Sequence, residues 1–137
     1  MRKTVRALAV STIFVLSLGM SAMAQEGATN EVTDVTGRVV EVPADAQNVV
    51  MLPGPAYEKA MIVGATDQVG GVLKSCVTDW AKLIHPEIND LVIFDSSTEP
   101  NMEDIMNLNA EFVICHDYQD LDAQLDELDI PYVITQC

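Results

Sequence analysis

The sequence predicts an α/β fold, a three-layer lobe with a mostly parallel central β-sheet, preceded by a small β-hairpin. Short runs of apolar and β-branched residues recur along the chain, as expected of strands that are buried on both faces of a parallel sheet. Segments with helical spacing of apolar residues separate these runs. Alternating strands and helices are typical of a parallel sheet whose strands are joined by helical crossovers.

The first 24 residues predict an export signal. The n-region is basic, residues 7–20 form a mostly apolar run, and Ala22 and Ala24 lie three and one positions before a cleavage site after Ala24. The alternative is an uncleaved anchor, but the run is shorter than the ~20 residues that span a bilayer. We therefore expect residues 1–24 to be removed and residues 25–137 to be periplasmic or otherwise extracytoplasmic, with no direct membrane insertion after cleavage.

The remaining chain is strongly acidic. It keeps four Lys and Arg residues against all 21 Asp and Glu residues, a formal charge of −17. A general nucleic-acid binder needs a basic face to displace counterions from phosphates, so we expect no nucleic-acid partner. The same charge disfavours adsorption to anionic lipid.

The first elements after the signal are a hairpin and a buried strand. Residues 35–43 predict a small hairpin around a Thr36-Gly37 turn. Residues 48–52 form a continuous apolar run, which predicts a strand ended by a proline-rich turn. A helix follows as far as Val63, and Gly64 is its predicted C-terminal stop.

The same unit of strand and helix then repeats. Asn101 is predicted to cap a helix that runs through Leu108 and turns Met102, Ile105 and Met106 inward. Leucines at helical spacing predict a last helix. The four remaining strands are predicted at residues 69–73, 91–94, 112–115 and 132–134.

Polar residues follow the predicted strands. In open parallel sheets ligands bind outside the carboxyl ends of the strands, so these loops form one candidate site. The alternative is that the loops are only solvated, as most loops are. The clusters are Pro53-Gly54-Pro55 with Tyr57, Lys74-Ser75-Cys76, Asp95-Ser96-Ser97 and His116-Asp117-Tyr118.

Catalytic motifs are missing from the sequence, and we predict that the chain is not an enzyme. It has no nucleophile elbow, no P-loop and no dinucleotide-binding glycine motif, and Gly70-Gly71 falls inside a predicted strand. His116 precedes Asp117, but neighbours in an extended chain point to opposite faces. A nucleophile built from Cys76 and His116 remains an alternative.

The cysteines predict no metal site and no resident cofactor. Cys76, Cys115 and Cys137 show no C-x-x-C spacing, and a zinc site needs about four placed ligands. In an oxidising compartment three cysteines allow at most one internal disulfide, and whether it forms stays open. Cys115 lies in an apolar strand and is predicted to be a small buried residue.

Two sets of acidic residues have simple interpretations. The acids of the last helix predict a solvated outer face: Asp120, Asp122, Asp126, Glu127 and Asp129. Glu103 lies in the first turn after Asn101 and points away from the apolar face. The helix dipole stabilises a carboxylate there by about 0.3–1 kcal/mol.

In order and spacing over residues 33–134, these segments resemble bacterial periplasmic solute-binding proteins for iron–siderophore, haem and cobalamin uptake, the Fe/B12 family. The matching segments are residues 34–43, 48–52, 57–65, 67–72, 101–108, 111–114 and 130–133. The family usually has Gly-Ile-Pro where this chain has Asp129-Ile130-Pro131, and often Pro-Asp where it has Ala110-Glu111.

The resemblance implies one of two α/β lobes that are joined by a long helix and hold a ligand between them. We expect only the N-terminal lobe here, with the second lobe absent from this chain. Similar proteins often line the cleft with aromatic residues, so Tyr57, Trp80 and Tyr118 are ligand-binding candidates, with Lys74 as an anion contact. Glu103 matches the glutamate with which such a lobe docks onto permease arginines.

The expected function is the substrate-binding component of an ABC importer, a monomer that delivers its ligand to a permease subunit. The ligand is an iron–siderophore, haem or cobalamin. The sequence does not decide among them, although the negative charge disfavours strongly anionic siderophores. The alternative is a single-lobe acidic interaction module, or a decayed fragment without ligand capture. An exported enzyme comes third.

Overall fold

The computed structural model describes residues 27–117 and 119–136, so the predicted signal segment, Tyr118 and Cys137 lie outside the described residues. Strands and helices alternate within these ranges after an initial pair of strands. In chain order they are β1 (Thr29–Thr33), β2 (Val39–Pro43), β3 (Val49–Met51), α1 (Ala56–Val63), β4 (Val69–Leu73), α2 (Asp79–Ile84), β5 (Val92–Phe94), α3 (Met102–Asn107), β6 (Val113–Cys115), α4 (Gln119–Glu127) and β7 (Tyr132–Ile134).

The central sheet has the strand order β5-β4-β3-β6-β7, and each neighbouring pair is parallel. The five strands predicted from apolar runs are confirmed, β4 and β7 with the predicted bounds and the others within one residue at each end. Gly70 and Gly71 lie within β4, as predicted, and not in a phosphate-binding loop.

The sheet separates two apolar cores. Val49 and Met51 of β3 face the core formed with α1 and α2, whereas Val50 and Leu52 face the core formed with α3 and α4. Side chains alternate in this way because successive residues of a strand point to opposite faces. The predicted three-layer arrangement is confirmed.

The hairpin is confirmed, but its first strand lies nearer the N-terminus than predicted. β1 pairs antiparallel with β2, and Thr33 lies opposite Val39. The turn between them contains Gly37 at a φ of +87°, a left-handed conformation that glycine adopts without steric cost. The sequence TNEVT of β1 is mostly polar and shows no strand pattern strong enough to predict.

The helix ends follow the predicted capping residues. Gly64 is left-handed at the end of α1, with a φ of 73°. The side-chain oxygen of Asn101 accepts a hydrogen bond of 3.0 Å from the backbone N–H of Glu103 and caps α3. Ile105 of α3 is fully buried, but Met106 is 46% exposed, so its predicted inward position is wrong.

Two further features depart from the predictions. The segment at Asp79–Ile84 is the helix α2, which was not predicted from the sequence. Asp122 is half-buried rather than solvated, and its Oδ1 atom has no hydrogen-bond partner among the described residues. Burial raises the pKa of this carboxyl, and the negative charges of nearby Asp117 and Asp126 add to the effect.

Within the two described ranges, the helices are all too short or too polar to cross a membrane.

Candidate ligand-binding site

The candidate site lies at the point where the strand order of the sheet reverses. The chain proceeds from β3 through β4 to β5 on one side and returns to β6 and β7 on the other. The N–H of Leu52 donates to the carbonyl of Ile114 at 3.0 Å. Pro53 and His116 therefore leave the sheet side by side, where ligands bind in open α/β sheets.

The loops after β3 and β4 contact each other at this edge. The Cys76 thiol donates a hydrogen bond of 2.9 Å to the carbonyl of Gly54. A side chain at Gly54 would meet Ser75, because a Cβ there would lie 3.4 Å from the Ser75 hydroxyl. Burial raises the pKa of the Cys76 thiol, which keeps it protonated and able to donate. It is therefore poorly suited to the nucleophilic role considered from the sequence.

Two predicted ligand-binding residues meet at the ends of β4 and β5. Lys74 Nζ lies 2.7 Å from Asp95 Oδ1, and both side chains are well exposed. The hydrogen bond to Asp95 raises the pKa of Lys74. An exposed pair of this kind adds little stability. The pair instead weakens anion binding, because an anion that approaches Lys74 must compete with the carboxylate of Asp95.

His116 is half-buried at the end of β6. Its Nδ1 atom lies 3.0 Å from the carbonyl oxygen of Thr135, just after β7. A carbonyl only accepts, so Nδ1 carries the hydrogen, and in the neutral ring Nε2 is the acceptor atom. The structure thus holds the imidazole in one orientation beside the reversal point.

Tyr57 does not contribute surface to this edge. Its side chain is fully buried in the core with α1 and α2, and its hydroxyl has no hydrogen-bond partner in the part of the chain that the structure describes. The ring lies edge-on to His85, with ring centroids 6.4 Å apart. A ligand-contact role requires an accessible side chain, so the position of Tyr57 does not support the predicted contact. His85 is half-buried, and its Nδ1 atom lies 2.8 Å from Glu87 Oε1.

Trp80 lies in a different place from the strand-end residues. It lines a shallow groove of about 590 Å³ between α1 and α2. The groove is lined by Glu58, Met61, Ile62, Trp80, Ile84 and His85, none of which belongs to the predicted clusters at the strand ends. Its position therefore does not support the predicted ligand contact.

Glu103 is exposed in the first turn of α3, which follows β5. Asn101 holds the start of this turn through the capping hydrogen bond described above. The carboxylate therefore projects from an ordered helix start, where the helix dipole favours a negative charge. Tyr118, the remaining candidate, lies outside the described residues.

Sequence reasoning missed an acidic depression beyond β5. It encloses about 270 Å³, and its lining includes the carboxylates Asp95, Glu99 and Asp104. The hydroxyl of Ser96 accepts hydrogen bonds from the backbone N–H groups of Thr98 and Glu99, at 3.3 and 3.0 Å. The spacing of Ser96 and Glu99 was the available signal for this turn. Among the residues that the structure describes, no three His, Cys, Asp or Glu are arranged to hold a metal ion.

The fold is similar to that of part of several solved solute-binding proteins. The molybdate periplasmic binding protein MolA of an ABC transporter from Haemophilus influenzae matches with a TM-score of 0.68 and 24% identity, covering 77% of this chain and 34% of MolA. SirA from Staphylococcus aureus, solved with staphyloferrin B, matches with a TM-score of 0.65 and 20% identity over 80% of this chain and 37% of SirA. The heme binding protein HmuT matches with a TM-score of 0.62 and 18% identity over 80% of this chain and 35% of HmuT.

These similarities show the fold of the chain, which spans about a third of the length of the solved structures that it matches. The similar structures are periplasmic solute-binding proteins of ABC transporters, as the resemblance in sequence implied. No family model matches the chain, and no curated protein matches it either.

Proposed function

We propose that this chain is the N-terminal lobe of the substrate-binding component of an ABC importer. It works outside the cytoplasm, contributes one wall of a ligand cleft and carries out no catalysis. The observation that carries the proposal is the match of about four-fifths of the chain to solute-binding proteins for three different ligands. The strand-end edge, where such a fold binds ligands, supports the same conclusion.

The proposed ligand is an iron chelate, haem or a cobalamin, contacted by Lys74, Asp95 and His116, with Tyr118 as a further candidate. Three similar proteins bind molybdate, heme and staphyloferrin B by their names, so the fold alone selects no ligand. The charges around the candidate site favour some of these ligands over others. Its one lysine at this edge is paired with Asp95, and the neighbouring depression is lined by carboxylates. Both features disfavour a small, strongly charged anion such as molybdate.

Direct titration tests the ligand class. The full chain is titrated with haemin, cyanocobalamin, a ferric siderophore and molybdate, and binding is followed by calorimetry and by the absorbance of the coloured ligands. We expect one of the first three to bind and molybdate to give no signal. The affinity should be modest, because a ligand normally needs burial of most of its surface.

A pair of histidine variants locates the binding surface. His116→Ala should abolish binding of the ligand that the parent chain takes. His85→Ala changes the other histidine, which lines the groove between α1 and α2, and should leave the affinity unchanged. Equal losses in both variants, or no binding of any of the four compounds, would count against this site.

Docking to the permease is the second part of the proposal. Glu103→Gln removes one exposed charge without changing side-chain size, and it should weaken binding of the full chain to vesicles that contain the permease. Ligand affinity should stay as it was. Glu127→Gln, an exposed carboxylate of α4, is the matched control and should bind the vesicles normally. Parallel behaviour of the two variants would contradict a specific role of Glu103.

A further inference from the structure

The outer surface of α1 and α2 is apolar, although it faces away from the core. Ile62 is 84% exposed, Leu83 80% and Trp80 54%, and Val63 and Ile84 are exposed beside them. Ile62, Trp80 and Ile84 line one groove, so these three side chains form a continuous surface, and Val63 and Leu83 directly follow or precede two of them in the sequence. Soluble monomers scatter such residues singly, whereas a continuous apolar surface marks an interaction site.

The spacing of these residues shows that the exposure is built into the helices. Trp80, Leu83 and Ile84 lie at positions i, i+3 and i+4 of α2 and are all exposed, whereas Ala81 of the same helix is buried. On α1, buried Ala56, Tyr57 and Ala60 occupy the inner face, and Ile62 and Val63 lie outside. An outer face of this kind is expected in a helix that is covered on both sides.

The layer of α3 and α4, on the other face of the sheet, has an acidic outer surface. The exposed positions of α3 and α4 include Glu103, Asp126 and Glu127, and no basic residue lies in either helix. The surface of α1 and α2 instead carries both charges. Glu58 precedes Lys59 on α1, and Asp79 is followed by Lys82 on α2.

The basic residues are distributed unevenly. Of the four Lys and Arg residues in the described ranges, Arg38 pairs with Asp34 and Lys74 with Asp95. The other two, Lys59 and Lys82, are exposed on α1 and α2, the layer that carries the apolar surface. This is therefore the part of an acidic molecule where an equally acidic molecule meets the least repulsion.

We propose that the outer surface of α1 and α2 is a two-fold interface with a second copy of this chain. A two-fold interface places the same surface on both partners, so apolar side chains meet apolar side chains. The mixed charges at its edge can pair across the axis, Glu58 or Asp79 of one copy with Lys59 or Lys82 of the other. The strand-end residues Lys74, Asp95 and His116 do not line this groove and stay accessible.

The proposal replaces the monomer expected from the sequence, and it has a distinctive salt dependence. Each copy carries a charge of −17 without the predicted signal, so the two copies repel at long range. Raising the salt from about 0.1 M to about 1 M shortens the screening length from about 10 Å to about 3 Å and weakens this repulsion. Dimerisation through an apolar surface should strengthen with salt, whereas docking of an acidic module onto a basic partner should weaken.

Sedimentation equilibrium of the full chain tests the interface. We expect an average mass that rises with protein concentration towards twice the monomer mass, and that rises further at high salt. Leu83→Glu places a charge in the interface at an exposed position and should hold the chain at the monomer mass. Val39→Glu adds the same charge at a residue of β2 that is 62% exposed, and it should dimerise like the parent.

The single tryptophan provides a second readout. Dilution of the parent chain should shift the emission of Trp80 to longer wavelength as the ring returns to water, and Leu83→Glu should show the shifted emission at every concentration. Circular dichroism confirms that each variant is folded. A parent chain that stays monomeric at all salt concentrations, or a Leu83→Glu variant that dimerises as tightly as Val39→Glu, overturns the proposal. Ligand titration does not depend on this surface, so the two proposals fail separately.

Discussion

At the scale of single residues, Asp34 is the clearest structural carboxylate of the chain. Its side chain is fully buried and accepts hydrogen bonds from Thr36 N–H (2.9 Å), the Thr36 hydroxyl (2.7 Å), Arg38 N–H (3.1 Å) and Arg38 Nε (3.0 Å). Arg38 in turn donates to the carbonyl of Tyr132 at 3.2 Å and lies over its ring. Asp34 thus joins the hairpin turn to β7.

Replacing Asp34 by Asn should lower the free energy of unfolding at pH 7 by about 2 kcal/mol, because acceptors are lost where buried donors remain. Urea denaturation followed by circular dichroism measures the change. Asp45→Asn removes the same charge at an exposed position and should stay within about 0.5 kcal/mol of the parent. Equal effects of the two substitutions would mean that charge alone is responsible.

The pH dependence of that difference has a defined sign. Burial alone would raise the pKa of Asp34, but the hydrogen bonds from Thr36 and Arg38 outweigh it and hold the pKa well below its ordinary value of 3.8. The carboxylate therefore contributes its full stabilisation above pH 3.8, and this is lost as the pH falls below that value. The difference between the parent and Asp34→Asn should be constant from neutral pH down to that point and shrink only in stronger acid.

Replacing Asp by Gly should stabilise the fold at Asp129 and destabilise it at Asp126. Its φ of 54° is left-handed, which is strained for residues with a side chain and easy for glycine. Asp129→Gly should raise the free energy of unfolding by about 0.5 kcal/mol, since relief of strain exceeds the entropy that glycine adds to the unfolded chain. Asp126→Gly, within α4, should lower it by about 1 kcal/mol. Thermal denaturation measures the stability of both variants. If both substitutions destabilise the chain, the backbone at Asp129 is not strained.

At the scale of elements, β4 depends on its two glycines for close packing. A Cβ at Gly70 would lie 2.8 Å from the Cα of Asn48, and one at Gly71 would lie 2.7 Å from the ring of Phe94. Gly70→Ala should lower the free energy of unfolding by about 2 kcal/mol, because the backbone of Asn48 cannot move aside easily. A Cβ at Gly27 would meet no described residue within 4 Å, so Gly27→Ala should be nearly neutral in urea denaturation. A neutral Gly70→Ala would show that the strands can separate at this point.

The sequence predicted the strands better than the other elements, for a physical reason. A strand buried on both faces is apolar throughout, so its run of residues is visible without knowledge of the fold. β1 and α2 are covered on one side only. β1 is therefore mostly polar, and α2 is only six residues long, too short for its apolar spacing to stand out as a helix. Met106 was misplaced for another reason, since exposed apolar residues are common in folded proteins.

The candidate site was predictable as a location but not residue by residue. Lys74 and Asp95 meet because β4 and β5 are neighbours, and the rule that ligands bind at strand ends anticipates their common edge. Tyr57 and Trp80 show what the rule cannot supply. Both are aromatic residues that follow a strand, yet one is enclosed in the core and the other lies between two helices. Whether such an aromatic residue is buried or exposed depends on how α1 and α2 pack, which the sequence pattern does not show.

At the scale of the whole molecule, the two cores lie on opposite faces of a sheet whose strands are only three to five residues long. A buried cysteine lies on each side: Cys76 in the core with α1 and α2, and Cys115 in the core with α3 and α4. Burial raises the pKa of both thiols, that of Cys115 to about 12. The thiolate reacts and the thiol does not, so both should be inert in the folded chain at neutral pH.

Thiol labelling therefore tests whether the two cores unfold together. In the full chain with Cys137→Ser, a maleimide should label neither Cys76 nor Cys115 at neutral pH without denaturant. With increasing urea both should become labelled at one midpoint, because β3 contributes alternate residues to both cores and cannot leave one core intact while the other opens. Mass spectrometry of peptides follows the two sites separately. If Cys76 is labelled at a lower urea concentration than Cys115, the layer of α1 and α2 opens alone, and its exposed apolar surface becomes the natural place to look for the partner that holds it closed.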